Sequence, residues 1–187
     1  MVRITRRDQS ILLHLGQRKL ALMSQIQQHF FPSYRTVARR MQMLVEAGYI
    51  QATPLVIANT DLDNLVSHKT WETVFYLSTS GRRLVAEFAR TNLANVPQVT
   101  VDIKAYHTLL ISHVMDYLRM DGQVEPRVTL RPGHYFFPDA LGIPRKNFLL
   151  QSFSNSNLIY LELDRSNNNL DNKVQKYLSL TQPITLI

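Results

Sequence analysis

Two groups of side chains in this sequence have the types and spacing to do chemistry. In FPSYRTVARRMQMLVEAGYI, residues 31–50, the arginines Arg35, Arg39 and Arg40 crowd into one helix-length run. A guanidinium is a planar fork of donors that can bond a guanine edge, or a phosphate, in two places at once. Arg35 and Arg39 stand one helical turn apart and project together. The second group is acidic. Asp139 follows Pro138, and Glu162 and Asp164 lie two apart in a strand-like stretch, so their side chains share a face and the three carboxylates can converge.

The charge is concentrated rather than spread. The chain carries a net +7, and residues 1–50 hold eight Lys or Arg against two acids, Asp8 and Glu46, which leaves an excess of one for the rest. A positive field confined to one small segment favours a polyanionic partner. The 187 residues are enough for one domain or two small ones, with a real core. No apolar run approaches the ~18 residues that span a bilayer, and MVRITRRDQS lacks the pattern of a secretory signal. The chain has no cysteine, which removes disulfides, thiolate metal sites and a cysteine nucleophile, and agrees with a cytoplasmic location. A partner in the membrane is not expected.

The elements that would position the arginines are legible. Thr5, with Asp8 three residues on, opens a helix whose stripe is Ile11, Leu12 and Leu15, and Gly16 is expected to end it. A second helix is expected over Leu22–Phe30. Ser33 can cap a third that runs to Glu46 or Ala47, with Gly48 as left-handed terminator. On that helix Val37, Met41, Leu44 and Val45 make one face. Tyr34, Arg35, Arg39, Gln42 and Glu46 lie away from it, and Thr36, Arg40 and Met43 flank it. Three short helices with basic residues near the start of the third form a helix-turn-helix, in which the third enters the DNA major groove. Tyr49–Ile57 is expected as a strand confined by Pro54 to an edge or a bend, residues 58–71 as a polar loop, and Glu72–Leu77 as a second strand. Together they would make a wing that could reach the neighbouring minor groove or the backbone, with His68 and Lys69 as candidate contacts. A further helix is expected over Arg82–Arg90, and Trp71 and Tyr76 are expected to pack rather than stack on bases.

The second half reads as a helix over Val101–Met120, capped by Asp102, with a stripe of Ile103, Tyr106, Leu109, Leu110, Val114, Tyr117 and Leu118. That face can pack on its own sheet or form the seam of a homodimer. His107 and His113, six apart, do not share a face as a metal pair would. Strands are expected at Val124–Leu130, His134–Phe137, Phe148–Phe153 and Leu158–Leu163, and a last helix at Leu170–Leu180. Gly133 and Gly142 read as isolated turn glycines, with no phosphate-binding loop around them.

The stretches ITRRDQSILLHL, ARRMQMLVEAGYI and VFYLSTSGRRLV resemble a winged-helix pattern of the form LT-x-x-D-x-x-IL-x-x-L, RR-L-x-x-L-x-x-AGY and YYLT-x-x-G. Combined with the C-terminal half, the chain resembles the replication-relaxation family of plasmid and mobile-element proteins, in which a winged helix precedes a small α/β domain. In the same way Pro138-Asp139 and Glu162-Leu163-Asp164 resemble the PD…ExK core of restriction-endonuclease-like nucleases, whose acids hold a divalent ion such as Mg²⁺ and whose lysine activates water. Here Asp164, followed by Arg165, stands where that lysine would be. Lys146, Lys173 or Lys176 would have to replace it from another element. The resemblance therefore implies a degenerate, inactive relative of the nucleases. In the plainer alternative Asp139 caps a turn, while Glu162 and Asp164 pair with Arg165 or a nearby lysine.

The expected fold class is α+β: a winged helix-turn-helix domain over residues 1–92, then a small α/β domain over residues 100–187 that resembles a restriction-endonuclease-like core and serves oligomerisation or partner docking. The expected partner is double-stranded DNA, read by Ser33, Tyr34, Arg35, Thr36, Arg39 and Gln42 and held at phosphates by Arg6, Arg7, Arg40 and Lys69. The resemblance implies plasmid or mobile-element replication, mobilisation or regulation, with other replication or mobilisation proteins as further partners. Three alternatives stay open: a transcriptional repressor unrelated to replication, a Mg²⁺-dependent endonuclease using Asp139, Glu162 and Asp164, and an interaction module whose basic face docks an acidic protein.

Overall fold

The structure, a computed structural model, describes residues 2–61, 66–101, 105–126, 128–131, 134–136, 138–144 and 159–161. The chain divides into two compact units, Met1–Leu109 and Leu110–Ile187.

The first unit opens with α1, Arg6–Arg18. Its start is the expected reciprocal box: the Asp8 amide donates to Thr5 Oγ1 at 3.3 Å, and the Thr5 amide donates to Asp8 Oδ2 at 2.6 Å. Gly16 does not end the helix, which runs on to Arg18. A Cβ at Gly16 would lie 3.2 Å from Val85 Cγ1, so the glycine lets Val85 come close rather than terminating α1. A two-residue strand, β1 at Ala21–Leu22, leads into α2, Met23–Phe30, where Gln25 Oε1 accepts the Leu22 amide at 2.9 Å. The third helix, α3, spans Tyr34–Glu46. It stops as its sequence foretells, with Gly48 at φ +74° and the Tyr49 amide folding back onto the Leu44 carbonyl at 3.0 Å.

The chain then forms a hairpin of two 12-residue strands, β2 at Ile50–Asp61 and β3 at Val66–Leu77. Most of the polar stretch 58–71, expected as loop, is therefore strand. The ladder of backbone bonds runs from Ile50–Leu77 to Asp61–Val66, so pairing rather than apolar alternation sustains it. At ~3.3 Å per residue each strand is about 40 Å long. The sheet order is β1-β3-β2, and β1 meets β3 only at Phe75 and Val74. Pro54 sits opposite Thr73 on the edge strand β2, where its missing N–H costs no central ladder bond.

The next helix, α4, begins at Thr79 and runs to Phe88, three residues earlier than expected. Ser78 caps it, accepting the Gly81 amide at 3.1 Å and donating to the Tyr49 carbonyl at 3.0 Å. A Cβ on Gly81 would stand 2.0 Å from that carbonyl oxygen, so only glycine fits where α4 crosses the start of β2. Ile11, Leu12 and Leu15 of α1, Ile26 of α2, Val37, Met41 and Leu44 of α3, and Ile50, Phe75 and Leu77 of the sheet form one buried core with Val85 of α4. Beyond α4 a short 3-10 turn, Leu93–Asn95, is tied down by Arg82, whose Nε and Nη2 donate to the Val96 carbonyl at 3.0 and 2.7 Å. The order helix, strand, helix, helix, long hairpin around one core is a winged helix-turn-helix.

Helix α5 spans Ala105–Tyr117, shorter than the expected Val101–Met120. The proposed cap Asp102 and the stripe residue Ile103 lie outside the described residues, and Tyr106 is placed only as helix backbone. Ala105 and Leu109 are buried in the first unit with Leu20 and Val74. Within the second unit Ile111 and Met115 pack with Met120, Val124 and Ala140. The expected stripe is met in part: Leu109 is buried and Val114 and Leu118 pack against the second unit's core, whereas Tyr117 is 77% exposed and Ile111, Ser112 and Met115, outside the stripe, are fully buried. A helix this apolar around its circumference does not fix its own buried face.

In the second unit β4 (Met120–Val124), β7 (Ala140–Pro144) and β8 (Ile159–Leu161) form an antiparallel sheet in the order β4-β7-β8, and β5 (Val128–Arg131) pairs with β6 (His134–Phe136). The strand expected over Val124–Leu130 is thus two strands. Gly142 is a strand residue, not a turn: it faces Gly122 in register, and a Cβ on Gly122 would lie 2.0 Å from the Leu141 carbonyl oxygen. The expected strand Phe148–Phe153 and helix Leu170–Leu180 lie outside the described residues. Among the described residues no helix is long and apolar enough to cross a membrane.

Candidate nucleic-acid interface

The two faces of α3 are cleanly sorted. Val37, Met41 and Leu44 are fully buried, so the phase of the helix is set and the residues between them are forced outward. Tyr34 is 61% exposed, and Ser33, Arg35, Thr36, Arg39, Gln42 and Glu46 are exposed with it. Thr36 donates to the Ser33 carbonyl at 2.8 Å, which stiffens the start of the helix. Gln42 Nε2 donates to Glu46 Oε1 at 2.9 Å, so the amide that could face a base is oriented by a neighbour one turn on.

Arg40 departs from its expected role. It turns back to α1, where its Nε donates to Asp8 Oδ1 at 2.7 Å and its Nη2 pairs with Asp8 Oδ2 and donates to the Arg3 carbonyl at 2.9 Å. Asp8 is fully buried. Burial alone would raise its pKa, but the hydrogen bonds from Arg40 and Thr5 and the charge of Arg40 outweigh that, and the carboxyl is held below its ordinary value of 3.8. The same bond raises Arg40 above its ordinary value, against the opposing effect of burial. Arg40 thus joins α3 to the first turn of α1 instead of offering its fork to a phosphate.

Arg6 and Arg7, in the first turn of α1, are exposed as expected. The Arg7 guanidinium lies 5.0 Å above the centre of the Phe31 ring, a cation–π contact that limits where it can point. A cleft of about 590 Å³ opens there, with Arg6, Arg7, Thr36 and Arg39 among the residues lining it and Phe31 and Met43 as its apolar part. The structure therefore brings Arg6, Arg7 and Arg39 to one place and leaves Arg35 and Tyr34 on the adjoining face. The part played by Phe31 has a faint sequence signal, an aromatic residue just after α2, which the charge pattern alone does not single out.

The remaining site residues are more scattered. Lys69 faces Ala58 in the hairpin register, and His68 faces Asn59. Asp139 is half-buried just before β7, and its carbonyl accepts the Glu125 amide at 2.8 Å. Its neighbour Ala140 pairs with Leu161 of β8, while Glu162 and Asp164 lie outside the described residues. Among the described residues no three His, Asp or Glu side chains gather to hold a metal ion.

No protein-family model and no curated protein sequence matches this chain. Among solved structures it is similar to the crystal structure of Bacillus subtilis PadR in complex with operator DNA, at 12% sequence identity and a TM-score of 0.35, over 62% of this chain and 62% of that one.

Proposed function

We propose that this protein binds duplex DNA through its winged helix, with α3 entering the major groove and Arg35 and Arg39 reading base edges. The observation that carries this is the sorting of α3. Val37, Met41 and Leu44 lock one side into the core, and the opposite side presents Tyr34, Arg35 and Arg39 in a segment that holds most of the chain's net positive charge. An acidic protein partner would also be drawn to that charge, and selection of a particular duplex sequence is what separates the two.

The biological setting we infer is regulation, replication or mobilisation of a plasmid or mobile element. Its support is the combination of the winged-helix pattern in ITRRDQSILLHL, ARRMQMLVEAGYI and VFYLSTSGRRLV with a C-terminal half that resembles that of the replication-relaxation family. The test of DNA binding is selection from a library of short duplexes by the wild type and by Arg35→Ala/Arg39→Ala. A selected sequence that the double variant no longer prefers supports the reading, and equal, unselective binding by both proteins overturns it. An inverted repeat with half-sites about 34–36 Å apart would mark a dimer. Where the sequence lies, at an origin or over a promoter, then separates replication from plain repression.

A further inference from the structure

We propose that the cleft between the start of α1 and the exposed side of α3 is the seat of one phosphodiester of the DNA backbone, flanking the groove that α3 reads. The inference rests on the reading of α3 as the recognition helix and assigns the partner of a neighbouring surface.

The cleft, about 590 Å³, is lined by four arginines from two helices: Arg6 and Arg7 from α1, and Arg39 and the Asp8-bonded Arg40 from α3. The acid in its wall is Asp8, whose carboxylate is bonded to Arg40, so Arg6 and Arg7 are left to hold the phosphate without that carboxylate to offset them, while Arg39, which lines the cleft too, keeps its fork for base edges and adds only its charge. Arg7 is held over Phe31 at 5.0 Å, which removes part of the side-chain freedom that binding an anion would otherwise freeze. Phe31 and Met43 line the same cleft. Apolar lining strengthens a charge-assisted bond by excluding water. It also suits the CH faces of the sugars on either side of a diester, which inorganic phosphate lacks. Arg40 is a positioning residue here: through Asp8 it fixes the spacing between the α1 arginines and α3.

The test uses the full chain and a duplex selected from the library, with single methylphosphonate groups replacing each backbone phosphate in turn. We expect one or two adjacent positions at which neutralising the phosphate weakens the wild type about tenfold but leaves Arg7→Ala unchanged. We also expect the slope of log affinity against log salt to fall by about one per arginine removed in Arg6→Ala and Arg7→Ala, with sequence preference intact. If Arg7→Ala keeps the wild-type slope and every methylphosphonate penalty, the seat is wrong while the α3 reading stands. If Arg35→Ala/Arg39→Ala leaves selection untouched, the α3 reading fails and this proposal fails with it. A free phosphate is the other source of the same chemistry. If inorganic phosphate shifts the Arg7 Nε–H resonance at micromolar concentration in DNA-free protein, and no methylphosphonate position responds, the cleft serves a small anion and the backbone assignment is overturned.

Discussion

Arg40 and Asp8, 32 positions apart in the sequence, are joined side by side through two nitrogens of one guanidinium and both oxygens of one buried carboxylate. Asp8 also closes the capping box of α1. One side chain therefore starts the first helix and anchors the third, and the orientation of the exposed arginines on α3 depends on it.

Removing Arg40 strands a buried carboxylate, whereas removing Asp8 leaves a partly exposed guanidinium. Arg40→Ala should lower stability by about 3–5 kcal/mol, and Asp8→Ala by less, with strong coupling in the double variant. Chemical denaturation of the four proteins measures this. Losses below about 1 kcal/mol that simply add would show the pair to be incidental.

The same pair predicts an acid limb. Because the folded-state pKa of Asp8 lies below its ordinary 3.8, its contribution is fully present above that value and is lost as pH falls through the lower folded one. Stability should therefore drop as pH falls below about 3.8. Asp8→Asn should be less stable at neutral pH and flatter across that range. Thermal melts from pH 6 down to pH 2 read the difference, and parallel curves for the two proteins would contradict the assignment.

For DNA recognition, Arg35→Ala and Arg39→Ala should each remove about 1–3 kcal/mol of discrimination at particular base pairs. Arg40→Ala, once corrected for folding, should leave base preference unchanged. Competition between the selected duplex and single-base variants is the measurement. A change in base preference from Arg40→Ala would mean that its bond to Asp8 opens on binding.

Gly81→Ala should destabilise the first unit by about 1–3 kcal/mol, because the added methyl meets the Tyr49 carbonyl at a distance no van der Waals contact allows. Gly48→Ala should cost about 1 kcal/mol, since its left-handed backbone disfavours a side chain. Melting temperatures that rank Gly81→Ala below Gly48→Ala would agree. The reverse order would mean that α4 can shift to make room.

Local chemistry was legible and distant chemistry was not. Thr5 with Asp8, and Gly48 after α3, specify their caps by short-range hydrogen bonds and backbone sterics, and the structure shows both. The buried face of α3 also follows from its period. Three features depend on partners remote in sequence. Asp8 looked complete as a cap, so nothing local marked it as the partner of Arg40. Gly16 reads as a terminator until Val85 of α4 is placed against it. The outer hairpin has polar residues where a half-buried strand would alternate, and it is held by backbone pairing that no side-chain pattern announces. Of the candidate interface, Tyr34, Arg35, Arg39, Arg6 and Arg7 were named from the sequence and are exposed, whereas the bond that silences Arg40 and the ring that holds Arg7 emerge only in three dimensions.

The long hairpin carries a hazard that its own sequence restrains. The outer margin of β2 offers backbone amides and carbonyls along the length of the ribbon, a template onto which a strand from another molecule could dock. Pro54, partway along that margin, presents a ring where a docking strand would seek a donor, so a foreign strand cannot zip past it in register. The proline that confines β2 to an edge is thus also placed to hinder edge-to-edge pairing between copies of the ribbon.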